Sequence, residues 1–433
     1  MSFKVEAFQN RHLTPGTTRV DAIISVTADA DLKATGELVV GFILDKSGSM
    51  SGARMESVAQ AVVRAIALLD ERARFFVVAF DGNGYVVSRE ARATPEAKRY
   101  AAEVVTQLKA QGGTAMSTGL RAARTLFERI PDAIRRAVFL TDGKNEGEKA
   151  QPVAEELARC AGVFECDCWG VGTDWQIGEV QQIAGALLGK ASLIPEPTGV
   201  DAAFRAAIER AQGMALKDVR LRLWTPQGAT VRYVKQVNPT IDELTHKPSV
   251  ISPQVRDYLT GSWAAGEARD FHVSLDVPPG ELNEEVLAAR PSLVYLEATN
   301  DARAGWIERE ERPAAGRIFA RWTDETMLLS QISSQVLHYV GQAELARSIH
   351  EGLLRQEQGD EVGAAQLLGR AVRLAHTSRN AGMTQRLARV VDVVDPGRGT
   401  VRLKRDVKKA ATMELELESR TTSRALRRPE GGS

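Results

Sequence analysis

The stretch "GFILDKSGSMSG", Gly41 to Gly52, runs from apolar residues straight into an acid and a cluster of hydroxyls. The run before the acid, Leu38 to Leu44, is apolar on both faces rather than alternating, which predicts a short strand buried on both sides in the middle of a parallel sheet. Asp45, Ser47 and Ser49 follow at alternating positions around Gly48, and Met55 to Glu71 then carries the helical period. Strand, polar loop and helix make a βα unit, whose loop lies at the carboxyl edge of the sheet, where ligands bind.

The same grammar recurs downstream. "RFFVVAF" (Arg74 to Phe80) predicts a second buried strand, followed by "DGNG" turn chemistry and a short edge strand near Tyr85 to Ser88. Pro95 opens a helix. "RAVFLTDG" (Arg136 to Gly143) is a third buried strand, again ending in an acid, Asp142, with a helix from about Glu148 to Cys160. "VFECDCWGVG" is the fourth, "KASLIPEP" an edge, and "DAAFRAAIERAQGM" a closing helix. Strands alternating with helices predict an α/β doubly wound, Rossmann-like parallel sheet. Cys166 and Cys168 share one strand face and read as buried, reduced thiols. The six histidines show no pair at zinc-ligand spacing.

Composition narrows the function classes. The 433 residues are 43% hydrophobic and 26% charged, enough for two or three domains with their own cores. Lys+Arg and Asp+Glu both number 56, so a zero net charge gives no electrostatic reason to expect nucleic acid or membrane as partner. "MSFKVEAFQNRH" has no apolar leader core, and no apolar run approaches the roughly 18 residues of a membrane helix, so a cytoplasmic protein is expected.

Two acids at the ends of two buried strands need an account. Asp45, Ser47 and Ser49 can converge on one point if their loop stays extended, and small neutral oxygens with few carboxylates suit a hard cation such as Mg²⁺ or Mn²⁺. In "QGGTAMSTGL", Gly112 and Gly113 precede Thr114 just before a helix, which lets the backbone approach closely and leaves the Thr114 hydroxyl facing the same place. The candidate ligand set is Asp45, Ser47, Ser49, Thr114 and Asp142. With only two formal charges, it leaves the cation under-neutralised and one coordination position open to a Glu or Asp from another protein.

"DKSGSM", "GGT" and "TDG", in that order and at those separations, resemble the von Willebrand factor A domain and its metal-ion-dependent adhesion site, over Glu37 to Met214. The bacterial, intracellular members are the nearest type. All five ligand positions of that motif match this sequence one for one. The resemblance implies that Thr114 and Asp142 exchange direct and water-mediated contact with the cation, coupled to a shift of the helix at about Asp201 to Gln212.

No loop of the form GxxxxGK[ST] is present, and Ser47 stands where a phosphoryl-transferring aspartate prefers a second acid. The expectation is therefore a non-enzymatic adaptor or scaffold. The alternative is a metal-dependent hydrolase or a metal-delivery, chelatase-type accessory factor using the same cation.

Outside the A domain, Val219–Pro226, Ala229–Val237, Arg269–Pro279 and Pro291–Thr299 alternate apolar and polar, as a half-buried antiparallel sheet does. Val20, Ala22, Ile24 and Val26 do the same, so residues 1–36 and 215–322 are expected to form one β-sandwich interrupted by the A domain at 37–214. Residues 323–395 read as a helical bundle containing one helix hairpin of tetratricopeptide kind, with His338, His350 and His376 on its helices. Residues 396–433 lack a sustained apolar face and read as a flexible basic tail. There Thr421 and Thr422, followed by Arg424, Arg427 and Arg428, suggest an accessible phosphorylation site for a partner such as a forkhead-associated domain.

Overall fold

A computed structural model describes residues 2–34, 36–246, 248–298 and 306–425. Its centre is a six-stranded sheet in the order Gly84–Arg92, Arg74–Phe80, Leu38–Asp45, Ile134–Thr141, Glu165–Val171, Ala191–Ile194. All neighbours are parallel except the first, so the expected parallel sheet carries one antiparallel edge. Every residue of Leu38–Asp45 is buried, which is why its run is unbroken by polar positions.

Helices cover both faces. Ala53–Ala67, Pro95–Thr106 and Val200–Gln212 bury their apolar stripes against one side, around Phe42, Phe75 and Phe204. Met116–Phe127, Ala150–Cys160 and Ile177–Ala186 cover the other, around Phe80, Phe127 and Phe139. From Leu38–Asp45 the chain goes first to one neighbour and later to the other. The carboxyl ends of Leu38–Asp45 and Ile134–Thr141 therefore flank the point where strand order reverses, the usual ligand crevice of such sheets.

Helix Val200–Gln212 runs through Gly213 into the strand Met214–Trp224 of a second body. Here a five-stranded sheet (Phe3–Gln9, Arg19–Ala28, Ala268–Asp276, Thr230–Asn238, Asp242–Glu243) shares an apolar core with a seven-stranded one built on Val255–Ala264, Met214–Trp224 and Glu285–Ala298. Trp263, Phe271 and Trp322 lie in that core. Strand Val255–Ala264 escapes the sequence pattern because Asp257 interrupts it. The buried acid is held by a two-pronged ion pair with Arg222, at 2.7 and 2.8 Å, with Arg220 at 3.7 Å.

The carboxyl-terminal part departs most from expectation. Helices Ser334–Glu357 and Glu361–Thr377 form a hairpin in which a Cβ at Gly352 would lie 2.9 Å from Leu368, so a small residue sets their closest approach. The expected helix through residue 395 stops at Val390. Val391–Asp395 is a strand paired with Thr400–Leu403 across the Asp395-Pro396-Gly397 turn, as its β-branched valines favour. A further helix follows at Lys409–Ser419. The flexible tail expected from 396 is thus corrected as far as Ala425, while its last part, 426–433, lies outside the described residues.

Candidate metal and partner-binding site

Four loops meet at the carboxyl edge of the central sheet, and backbone hydrogen bonds sew them together. Gly48 N donates to Gly112 O at 3.0 Å, Gln111 N to Lys46 O at 2.7 Å, Ala115 N to Asp81 O at 2.7 Å, and Gly147 N to Thr114 O at 2.7 Å. Gly112 has φ +77 and a Cβ there would lie 3.2 Å from that of Asp81, so glycine is required at this crossing.

Each candidate ligand is held by a specific partner. Asp45 is fully buried; Oδ1 accepts from Ser47 N at 2.8 Å and Oδ2 from the Thr141 hydroxyl at 2.6 Å. Burial pushes its carboxyl up to about 6, against the pull of these hydrogen bonds, and the nearby Asp142 adds to the rise. Ser47 Oγ and Ser49 Oγ are 3.0 Å apart, and Ser49 donates to Asp142 Oδ1 at 2.6 Å. Arg54 Nη1 donates to Asp142 Oδ2 at 2.6 Å, and its other terminal nitrogen lies 3.8 Å from Asp174.

Thr114 joins from the opposite side. A Cβ built on Gly143 would lie 3.4 Å from Ser49 Oγ and 3.5 Å from Thr114 Oγ1, so both hydroxyls face one small space that any larger residue at 143 would fill. Thr114 is fixed there because the helix it precedes is capped by the neighbouring loop: Asn145 Oδ1 accepts from Met116 N at 3.1 Å and Glu148 Oε1 from Ser117 N at 2.8 Å. Beneath the loops, Lys46 and Asp81 form a buried ion pair, and the Lys46 ammonium sits 4.5 Å from the centre of the Tyr85 ring.

All five residues predicted from the sequence therefore come together. Their supports, Lys46, Arg54, Asp81, Thr141, Asn145 and Glu148, were not among them. Thr141 stands inside the "TDG" signature and was the one open to discovery by spacing. Ser49, Thr114 and Gly143 line a cavity of about 300 Å³ with Lys144, Glu146, Asp174 and Lys409. The donor set, three hydroxyls and two carboxylates, all oxygen, fits a hard divalent cation.

Thr421 and Thr422 lie on the antiparallel body, and the expectation of an accessible hydroxyl pair is corrected. Thr422 is buried; its Oγ1 donates to Val237 O at 2.5 Å and its N to Pro239 O at 2.9 Å. Thr421 bridges to Thr240, and its hydroxyl is buried with no hydrogen-bond partner among the described residues. Among the histidines, His350 reaches Glu416 at 2.9 Å, and His338 lies 2.9 Å from the carbonyl of Ser423.

Comparison with known proteins agrees with this architecture. Residues 38–193 match the von Willebrand factor type A domain, and residues 373–419 match the von Willebrand factor type A C-terminal domain. A solved structure of a von Willebrand factor type A protein from Catenulispora acidiphila is similar over 98% of this chain and 97% of its own, with 38% identity and a TM-score of 0.90. The ArnB paralog VWA2 from Sulfolobus acidocaldarius shares the fold at 14% identity, with a TM-score of 0.61 over 97% of this chain and 99% of its own.

Two curated proteins are similar over part of their length. The uncharacterized protein sll0103 of Synechocystis sp. is 30% identical over 47% of this chain, and calcium-activated chloride channel regulator 1 of Sus scrofa is 28% identical over 53%. The chain spans 49% of the former and 24% of the latter. With near-complete mutual coverage by a 38% identical structure, the chain belongs to the von Willebrand factor type A family.

Proposed function

We propose that this protein is a non-catalytic, metal-dependent adaptor. In this reading, Asp45, Ser47, Ser49, Thr114 and Asp142 hold one Mg²⁺ or Mn²⁺, and a Glu or Asp side chain of a partner protein completes the coordination. The observation that carries it is the meeting of Ser49 with both Asp142 and the Thr114 side of the Gly143 space, which brings hydroxyls from two loops beside a carboxylate from a third. When bound, the cation supplies a positive, oxygen-seeking position at the surface.

The chain's own residues do the rest. Thr141 and the Ser47 amide orient Asp45, while Ser49 and Arg54 orient Asp142. Gly143 keeps the mouth open. The test uses the full chain as bait in extracts of the native cell, in Mg²⁺, in EDTA, and as the Asp45→Ala variant in Mg²⁺. A partner retained only by the wild type in Mg²⁺ supports the reading; identical capture in all three overturns it.

A further inference from the structure

The cavity over the metal-site hydroxyls is not walled by the A domain alone. Lys409, the first residue of the helix Lys409–Ser419, lines it beside Lys144, although the A-domain match ends at residue 193. That helix is anchored twice. Met413 and Leu417 join the apolar core around Val180, Ile183 and Leu187 of the A domain, and Leu415 joins the core of the carboxyl-terminal helices. Lys190 and Glu418 add an ion pair at 3.3 Å. The rim contribution of Lys409 is therefore built by packing at both of the helix's faces.

Charge at the site has a definite sense. Arg54 already pairs with Asp142 and leans toward Asp174. Lys144 and Lys409 are exposed, and among the described residues neither has an ion-pair partner. Lys144 and Lys409 are the two cationic side chains that line the cavity, beside Glu146 and Asp174, and with Arg54 already engaged by Asp142 they are the donors left for an incoming carboxylate. A carboxylate has two oxygens, and a cation that takes one leaves the other to find a donor.

Resting on the adaptor reading above, we propose that Lys409 is a partner-contacting residue. Its ammonium donates to the second oxygen of the acidic side chain that the cation binds, so the carboxyl-terminal domain completes the A domain's recognition surface. The ligand class is a Glu or Asp on an exposed segment of another protein.

The test loads the full-length chain with Mn²⁺ and follows water-proton relaxation while adding a blocked pentapeptide with one central glutamate between glycines. The same peptide with glutamine, and free acetate, serve as controls. Lys409→Glu is expected to weaken the glutamate peptide by about tenfold, the worth of one charge-assisted hydrogen bond. Lys409→Arg should retain it with unchanged Mn²⁺ affinity, whereas Lys409→Glu, which puts a carboxylate beside the site, should hold Mn²⁺ at least as tightly; matching circular dichroism spectra certify the folding of all three proteins. Equal peptide affinity in wild type and Lys409→Glu overturns the proposal, as does the glutamine peptide binding as tightly as the glutamate one; acetate, which carries both oxygens, should show the same loss in Lys409→Glu. Failure of the wild type to take up Mn²⁺ overturns the metal reading itself, a separate result.

Discussion

The Ser49 hydroxyl donates to Oδ1 of Asp142 at 2.6 Å, joining residues 93 positions apart. The contact is possible because Leu44 pairs in register with Leu140, so the two strands end level and their loops open into the same space. Sheet register, more than any loop preference, places the two halves of the site. Changes to the candidate ligand side chains that keep the sheet should thus affect binding and spare the fold.

Thr141 is the sharpest case. It is fully buried and makes no direct claim on a cation, yet its hydroxyl fixes Asp45 Oδ2 at 2.6 Å. Thr141→Val keeps the volume and removes the donor, and is expected to lower Mn²⁺ affinity by roughly 10- to 100-fold, the usual cost of losing a group that orients a ligand. Titration of the variant checks this, with circular dichroism expected to match the wild type.

Lys46 and Asp81 make a different prediction. Burial would raise the Asp81 carboxyl, but Lys46 and the Asn83 amide hold it below its ordinary value. Lys46→Met should cost about 3–5 kcal/mol in urea unfolding near neutral pH, because it leaves a buried acid without its counter-charge. A depressed carboxyl contributes stability above the unfolded value of about 4 and loses it as pH falls through the folded one. The gap between wild type and Lys46→Met should therefore narrow in acid. A gap that widened there would contradict the assignment.

The final described segment makes a third. Thr422 is sealed against Val237 and Pro239, while Arg424 reaches the buried Asp270 at 3.3 Å. Thr422→Asp should lower stability by on the order of 1–3 kcal/mol, since a charge there has no water and displaces a made hydrogen bond. An unchanged urea midpoint would show that the segment is only loosely held.

The candidate site was legible in the sequence because its candidate ligands adjoin runs that had to be buried: Asp45 ends one apolar strand and Asp142 follows another. Its supports were not. Lys46 and Asp81, Arg54 and Asp142, and Glu148 and Ser117 are partners only across loops, and no local spacing encodes which loops meet. Helix Lys409–Ser419 was hidden for another reason. In "MELELES", Met413 and Leu417 face one core and Leu415 the opposite one, so a helix gripped on two sides shows a period of two and no single apolar stripe. The basic residues ahead of it then look like a solvated tail, although Lys409 lines the site.

The central claim is that five oxygen-bearing side chains hold one divalent cation. Calorimetric titration of the full-length chain with Mn²⁺, beside Asp142→Asn, tests it most directly. Asp142 lies at the sheet edge with its carboxylate on Ser49 and Arg54, so the amide keeps the shape and removes one of only two ligand charges. The account predicts a single site in the wild type and a loss of at least about 100-fold in the variant, beyond the cost of losing an orienting group, with no change in circular dichroism. No heat in the wild type, or equal affinity in the two proteins, would contradict it.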